Sequence, residues 1–180
     1  MRVLRLVSIA TAVLMVAACA DGGGAPTSPS AAQSRLAERS ASASQPVQTS
    51  GTFDANVDFS TVTLTPRGEN CLLTVKGQLV FHGTIEGTAN GTTSALEFAP
   101  CSEVAVNPPG TFEDVFKSVA TFDGTIAGEP AHSNLLYMGR VAVGGTIDGR
   151  FVFSNGVAGE VDVKSRVAVG GEYQGSVVVH

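Results

Sequence analysis

Oxygen and imidazole ligands are the natural place to look for chemistry, and here they are thinly spread. Asp54-x-Asn56-x-Asp58 has the alternate oxygen donors that open a calcium loop. The pattern then fails: the position that must turn sharply on Gly is Phe59, and the position of the bidentate Glu is Thr65. Alternation with Phe53, Ala55, Val57 and Phe59 explains the same acids as the wet face of a strand. His82, His132 and His180 lack the short spacings of a zinc site. His82 falls on the polar side of its segment and His180 ends the sequence. His132, beside Glu129 and Pro130, reads as a surface-loop residue, with acid–base work at a barrel rim as the alternative. Glu113 and Asp114 are adjacent, so a strand would point them to opposite faces and they could not act together as a carboxylate pair. Tyr137 and Tyr173 share the parity of Leu135 and Val177. Both are expected inside, as packing groups or with hydroxyls turned to a ligand. There is no Gly-x-Ser-x-Gly elbow, phosphate loop or dinucleotide fingerprint. No catalytic residue, cofactor or metal site is expected.

The thiols say more. Residues 1–18 have the shape of an export signal: Arg2 and Arg5, then Leu6 to Ala18 without a charge, too short a run to span a bilayer. It ends Val16-Ala17-Ala18-Cys19, which resembles the lipobox of bacterial lipoproteins. The resemblance implies that the Cys19 sulfur carries a diacylglycerol with palmitate-type chains and that Cys19 is the first mature residue. Ordinary signal cleavage at Ala18-Cys19-Ala20 is the alternative. The resemblance also implies a bacterial cell-envelope location, periplasmic or cell-surface, with the membrane contacted through the anchor. Ala20 in place of Asp leaves export to an outer membrane open. With Cys19 so assigned, Cys71 and Cys101 remain. The oxidising surroundings of an exported protein favour a disulfide between them, two buried free thiols being the alternative.

The elements that must position these residues come next. Residues 19–50 are rich in Gly, Pro, Ala and Ser and hold little apolar surface, so they read as a disordered tether. Residues 51–180 change composition: Trp is absent and Gly, Val, Thr and Phe abound, a β-forming mixture. Gly51 to Phe59 alternates cleanly, and Cys71 to Gly87 reads as one long strand with Val75, Leu79, Phe81 and Ile85 on one face. Asn90-Gly91 signals a turn. Short strands are expected near Ala95–Ala99 and Glu103–Asn107, then over Ser118–Gly124, Leu135–Val143, Gly145–Ser154, Val157–Val169 and Tyr173–Val179. The fold class expected is all-β: one antiparallel barrel of about eight to ten strands, with a sandwich as the alternative.

Repetition supports closure. Arg140-Val-Ala-Val-Gly-Gly145 returns intact as Arg166-Val-Ala-Val-Gly-Gly171. A Gly-x-apolar-x-Gly unit occurs at Gly83–Gly87, Gly124–Gly128, Gly145–Gly149 and Gly171–Gly175. Glycines on one face suit the coiling that barrel closure needs, and the unequal spacings exclude a solenoid. Asp148-Gly149 also reads as a hairpin turn. The chain order Phe122-x-Gly-x-Ile-x-Gly128, Tyr137-x-Gly139, Gly145-x-Ile-x-Gly149 resembles the allene-oxide-cyclase-type, lipocalin-like barrels, over roughly Gly83 to Val178. The resemblance implies an eight-stranded barrel and carries no catalytic residue onto this sequence.

Charge bounds the partners. The sequence is net −5; without Arg2 and Arg5 it has 9 basic and 16 acidic residues, net −7. Nucleic acid and electrostatic docking on anionic lipid are disfavoured. The leading expectation is a structural or interaction lipoprotein, with Asn107-Pro-Pro-Gly-Thr-Phe112 as a contact loop toward another envelope protein. The alternative is a binding module for a small apolar or amphipathic ligand inside the barrel. An isomerase or cyclase, implied by the family resemblance, comes third.

Overall fold

The structure, a computed structural model, describes residues 45–180. The signal segment 1–18, Cys19 and the tether up to residue 44 lie outside the described residues. Eight strands follow one another around a closed antiparallel barrel. They are β1 (Val47–Arg67), β2 (Asn70–Gly83), β3 (Ile85–Glu97), β4 (Asp114–Ile126), β5 (Glu129–Val141), β6 (Thr146–Ser154), β7 (Val157–Arg166) and β8 (Gly170–Val179). One helical turn, α1 (Cys101–Val104), lies in the β3–β4 connection. Closure runs along β1 and β8, from Val47 opposite Val177 to Asp54 opposite Gly170. The barrel therefore starts at Val47, ahead of the composition change at Gly51, and Thr49 is already buried.

Alternation decides the faces. Ile85, Ala89, Ala95 and Glu97 of β3 point inward, as do Asp114, Ala120, Phe122 and Ile126 of β4. Following Cα partners from Cys71 once around the wall returns to β2 at Phe81, a stagger of ten residues. Ten residues at ~3.3 Å against eight strands at ~4.8 Å correspond to a tilt of about 40°. A barrel of this size is filled by side chains or holds one small ligand.

This barrel is filled at one end and hollow at the other. At the end where β1 starts and β8 finishes, Phe53, Phe81, Phe122, Phe151 and Phe153 interlock edge to face, with centroids 5.1 Å apart for Phe53–Phe151 and 5.7 Å for Phe81–Phe122. Tyr173 caps this plug. Its hydroxyl accepts the Ile85 N–H at 2.9 Å and lies within donating distance of the Ile85 carbonyl, filling the bend at Gly83.

Several elements differ from the sequence reading. The Cys71–Gly87 run is two strands folded at Thr84, because a hairpin with an odd number of turn residues keeps the alternation in phase. Asn90-Gly91 and Asp148-Gly149 lie within β3 and β6, paired to both neighbours. Glu103–Asn107 is no strand: the N–H groups of Glu103 and Val104 bond back to the Pro100 carbonyl and start α1. His132 sits on the outer face of β5 and not in a loop. The identical hexapeptides both lead into hairpins at the same end, but the turn centres on Gly144 in the first and on Ala168 in the second. The inward glycines serve close strand approach: a Cβ at Gly124 would stand 2.8 Å from the Gly87 Cα.

Candidate functional site

The other end of the barrel is hollow. Phe53 and Tyr137 close its inner end, Phe116 stands beside Ala95 nearer the mouth, and β3 and β4 present Ala89, Gly91, Thr93, Ala95, Ser118 and Ala120 where bulky residues would close the interior. The result is a mainly apolar cavity of about 150 Å³. Gly91 adds little to that space, since a Cβ there would meet the Ala120 Cα at 2.7 Å. The emptiness comes from the alanines, the serine and the threonine.

The mouth is shaped by a bulge in β1. Pairing with β2 shifts between Asp58 and Thr63. The slack is stitched locally: Ser60 donates N–H and O–H to Asp58 Oδ1 at 3.1 and 2.6 Å, and the Thr61 hydroxyl accepts the Lys76 N–H at 2.9 Å. That hydroxyl replaces a missing ladder carbonyl, so the Lys76 amide stays paired across the bulge. It also brings Phe59 and Val62 to the cavity edge. Opposite stand Val167 and Ala168 of the β7–β8 turn, and Pro109 of the β3–β4 connection. That connection is pinned at one side by the Cys71–Cys101 disulfide, Cα atoms 4.8 Å apart. At the other side the Gly144 N–H bonds to the Gly110 carbonyl at 2.9 Å. The Asn107–Phe112 segment is thus fastened to the mouth at Gly110.

Two pairs of buried polar side chains face the cavity. Tyr137 reaches across to Ser165, hydroxyl to hydroxyl at 2.8 Å. Burial pushes its phenol up to about 12, with the Ser165 hydrogen bond opposing, so the group stays a neutral hydroxyl. Nearer the mouth, Glu97 and Asp114 are direct cross-strand partners on the inner face, 7% and 4% exposed. Burial, and then the charge of Glu97, push the Asp114 carboxyl up to about 7; burial also raises Glu97. Asp114 Oδ1 is buried without a hydrogen-bond donor.

This acid pair is the feature sequence reasoning passed over. Glu113 and Asp114 do point apart: Glu113 faces outward to Arg140 at 2.6 Å, and Asp114 faces inward. The partner of Asp114 comes from β3, across a connection of sixteen residues, Phe98 to Glu113. The signal available was parity, since Glu97 continues the inward series Ala89, Gly91, Thr93, Ala95.

The other candidates lie apart from the cavity. His82 meets Asp54 at 3.1 Å and His132 meets Asp123 at 2.9 Å, both on the outer face. Asp54, Asn56 and Asp58 line the outer face of β1, each committed to strand or bulge. Tyr173 is spent on the backbone of the plug.

No protein-family profile matches this chain, and no curated protein matches it. Among solved structures it is similar to the crystal structure of a protein of unknown function from the DUF3224 family of Shewanella oneidensis MR-1. The TM-score is 0.52 at 15% identity, over 76% of this chain and 98% of that one. The likeness is one of fold.

Proposed function

We propose that this protein is a lipid-anchored module of the bacterial cell envelope that holds a small apolar or amphipathic molecule inside its barrel. The observation that carries the reading is the cavity. Protein interiors pack closely, with few voids larger than a water molecule. An apolar space of about 150 Å³ forgoes the packing and burial that a filled core would gain. An apolar void of this size accepts a benzene-sized group. Placing small residues on two adjacent strands, above a tightly interlocked aromatic plug, is a costly arrangement that a bound molecule would offset. The lipobox-like Val16-Ala17-Ala18-Cys19 supports the envelope location, and the disulfide is in keeping with an oxidising compartment.

The test uses the exported full chain carrying Cys19→Ser, which is expected to leave the membrane fraction and needs no detergent. Native mass spectrometry should find a small mass that leaves on denaturation. Ala120→Phe should abolish it while keeping the melting temperature at or above that of the parent. A bare chain that no small apolar probe stabilises would sink the binding reading.

A structural or interaction role remains the second reading, because one observation favours it. Phe59, Phe98, Val106, Val143 and Val169 are exposed apolar residues, all at the mouth end. Under that reading a photocrosslinker at Val143 captures one envelope protein, whether or not the cavity is filled by Ala120→Phe.

A further inference from the structure

We infer that the cavity selects a molecule with a protonated amine, seated between Glu97 and Asp114, its apolar body lying against Ala95, Ala120 and Phe116. The inference rests on the ligand-binding reading and names the chemical class that the site would take.

Glu97 is flanked on β2 by Cys71, which is held in the disulfide, and on β4 by Asp114. Asp114 is flanked on β5 by Val141. Neither carboxyl is in an ion pair among the described residues. Lys76 and Arg166 line the cavity, but neither is within ion-pair distance of Glu97 or Asp114. The Arg166 guanidinium donates to the Gly144 carbonyl at 3.2 Å, Lys76 is on the exposed face of β2, and Arg140 is paired with Glu113 outside. The cavity therefore contains two adjacent acids, neither of them ion-paired, and one buried oxygen lacking a donor.

Buried acids in an apolar site are unfavourable unless something pairs with them. A water molecule would satisfy Asp114 Oδ1 but would leave Asp114 ionising only against the charge of Glu97. A carboxylate ligand would add to that charge. An ammonium group does what neither can: it donates to both acids and cancels charge, while the hydrocarbon it carries occupies the void that water fills poorly. Burial and Glu97 push the Asp114 carboxyl up to about 7, so ammonium binding near neutrality displaces its proton to solvent. Affinity must then rise with pH while the amine itself remains charged.

The probes are benzylamine and benzyl alcohol, which match in shape and differ in charge, titrated into the Cys19→Ser full chain by calorimetry. At about pH 8 the amine should bind at least about tenfold more tightly than the alcohol, and the preference should shrink below about threefold at about pH 5. Asp114→Asn and, independently, Glu97→Gln should each reduce the preference at pH 8. Equal or better binding of the alcohol at pH 8, or a preference unmoved by pH and by both variants, overturns the amine assignment and leaves the cavity reading standing. Failure of both probes to bind overturns the two together.

Discussion

A single inward residue, Asp114, carries a consequence for stability as well as for binding. Its carboxyl is raised from the ordinary 3.8 to about 7 in the folded barrel, first by burial and then by Glu97. The sign follows: the folded state holds a proton that the unfolded chain has released. The native state is therefore favoured by this group below about pH 4 and loses that advantage as pH rises to about 7. Asp114→Asn removes the effect. Its melting temperature relative to the parent should be lower or equal at about pH 4.5 and higher at about pH 8, and a difference that does not change with pH would refute the assignment. Residue by residue, the sequence disclosed parity but not pairing. It placed Asp114 and Glu113 on opposite faces and Tyr137 and Tyr173 inside, since alternation alone settles those. It could not join Glu97 to Asp114, because register across a long connection depends on where α1 and the disulfide hold the chain.

At the level of elements, strands were legible wherever apolar residues alternate, and their ends were not. The Thr84 hairpin leaves the alternation unbroken, so nothing in the pattern of Cys71 to Gly87 announces a reversal. Asn90-Gly91 has turn chemistry, yet pairing on both sides keeps it extended. The identical hexapeptides make the same point, since their hairpins turn at different residues. The β3–β4 connection is the element most dependent on covalent help: α1 is a single turn, with no side-chain cap. Replacing Cys71 and Cys101 by Ser should cost roughly 3–4 kcal/mol of stability, from closure of a loop spanning a separation of 30 residues. Hydrogen exchange should accelerate at Glu103 to Asn107 by more than at β5 to β8, whose slowest amides should speed up only with the global loss of stability. Uniform acceleration throughout would mean that the disulfide acts on the barrel as a whole.

For the whole molecule, composition and glycine spacing pointed to a barrel, and the closed eight-stranded sheet bears that out. Which half would be hollow was not readable, because it follows from the ten-residue stagger that brings the alanines of β3 and β4 above the phenylalanines of β1, β2 and β6. The seam at β1 and β8 has one more consequence. Val47 and Val177 are ladder partners, so the two ends of the sheet meet as neighbouring strands do anywhere else in the wall. A ring so built has no privileged first strand. Joining residue 180 to residue 45 by a short Gly-Ser bridge and cutting at Gly68 would reorder the genetic text without changing a single rung. Such a permuted chain should give the parent's near-ultraviolet circular dichroism and melt within a few degrees of it; a molten spectrum would show that β1 and β2 must be made together for the ring to close.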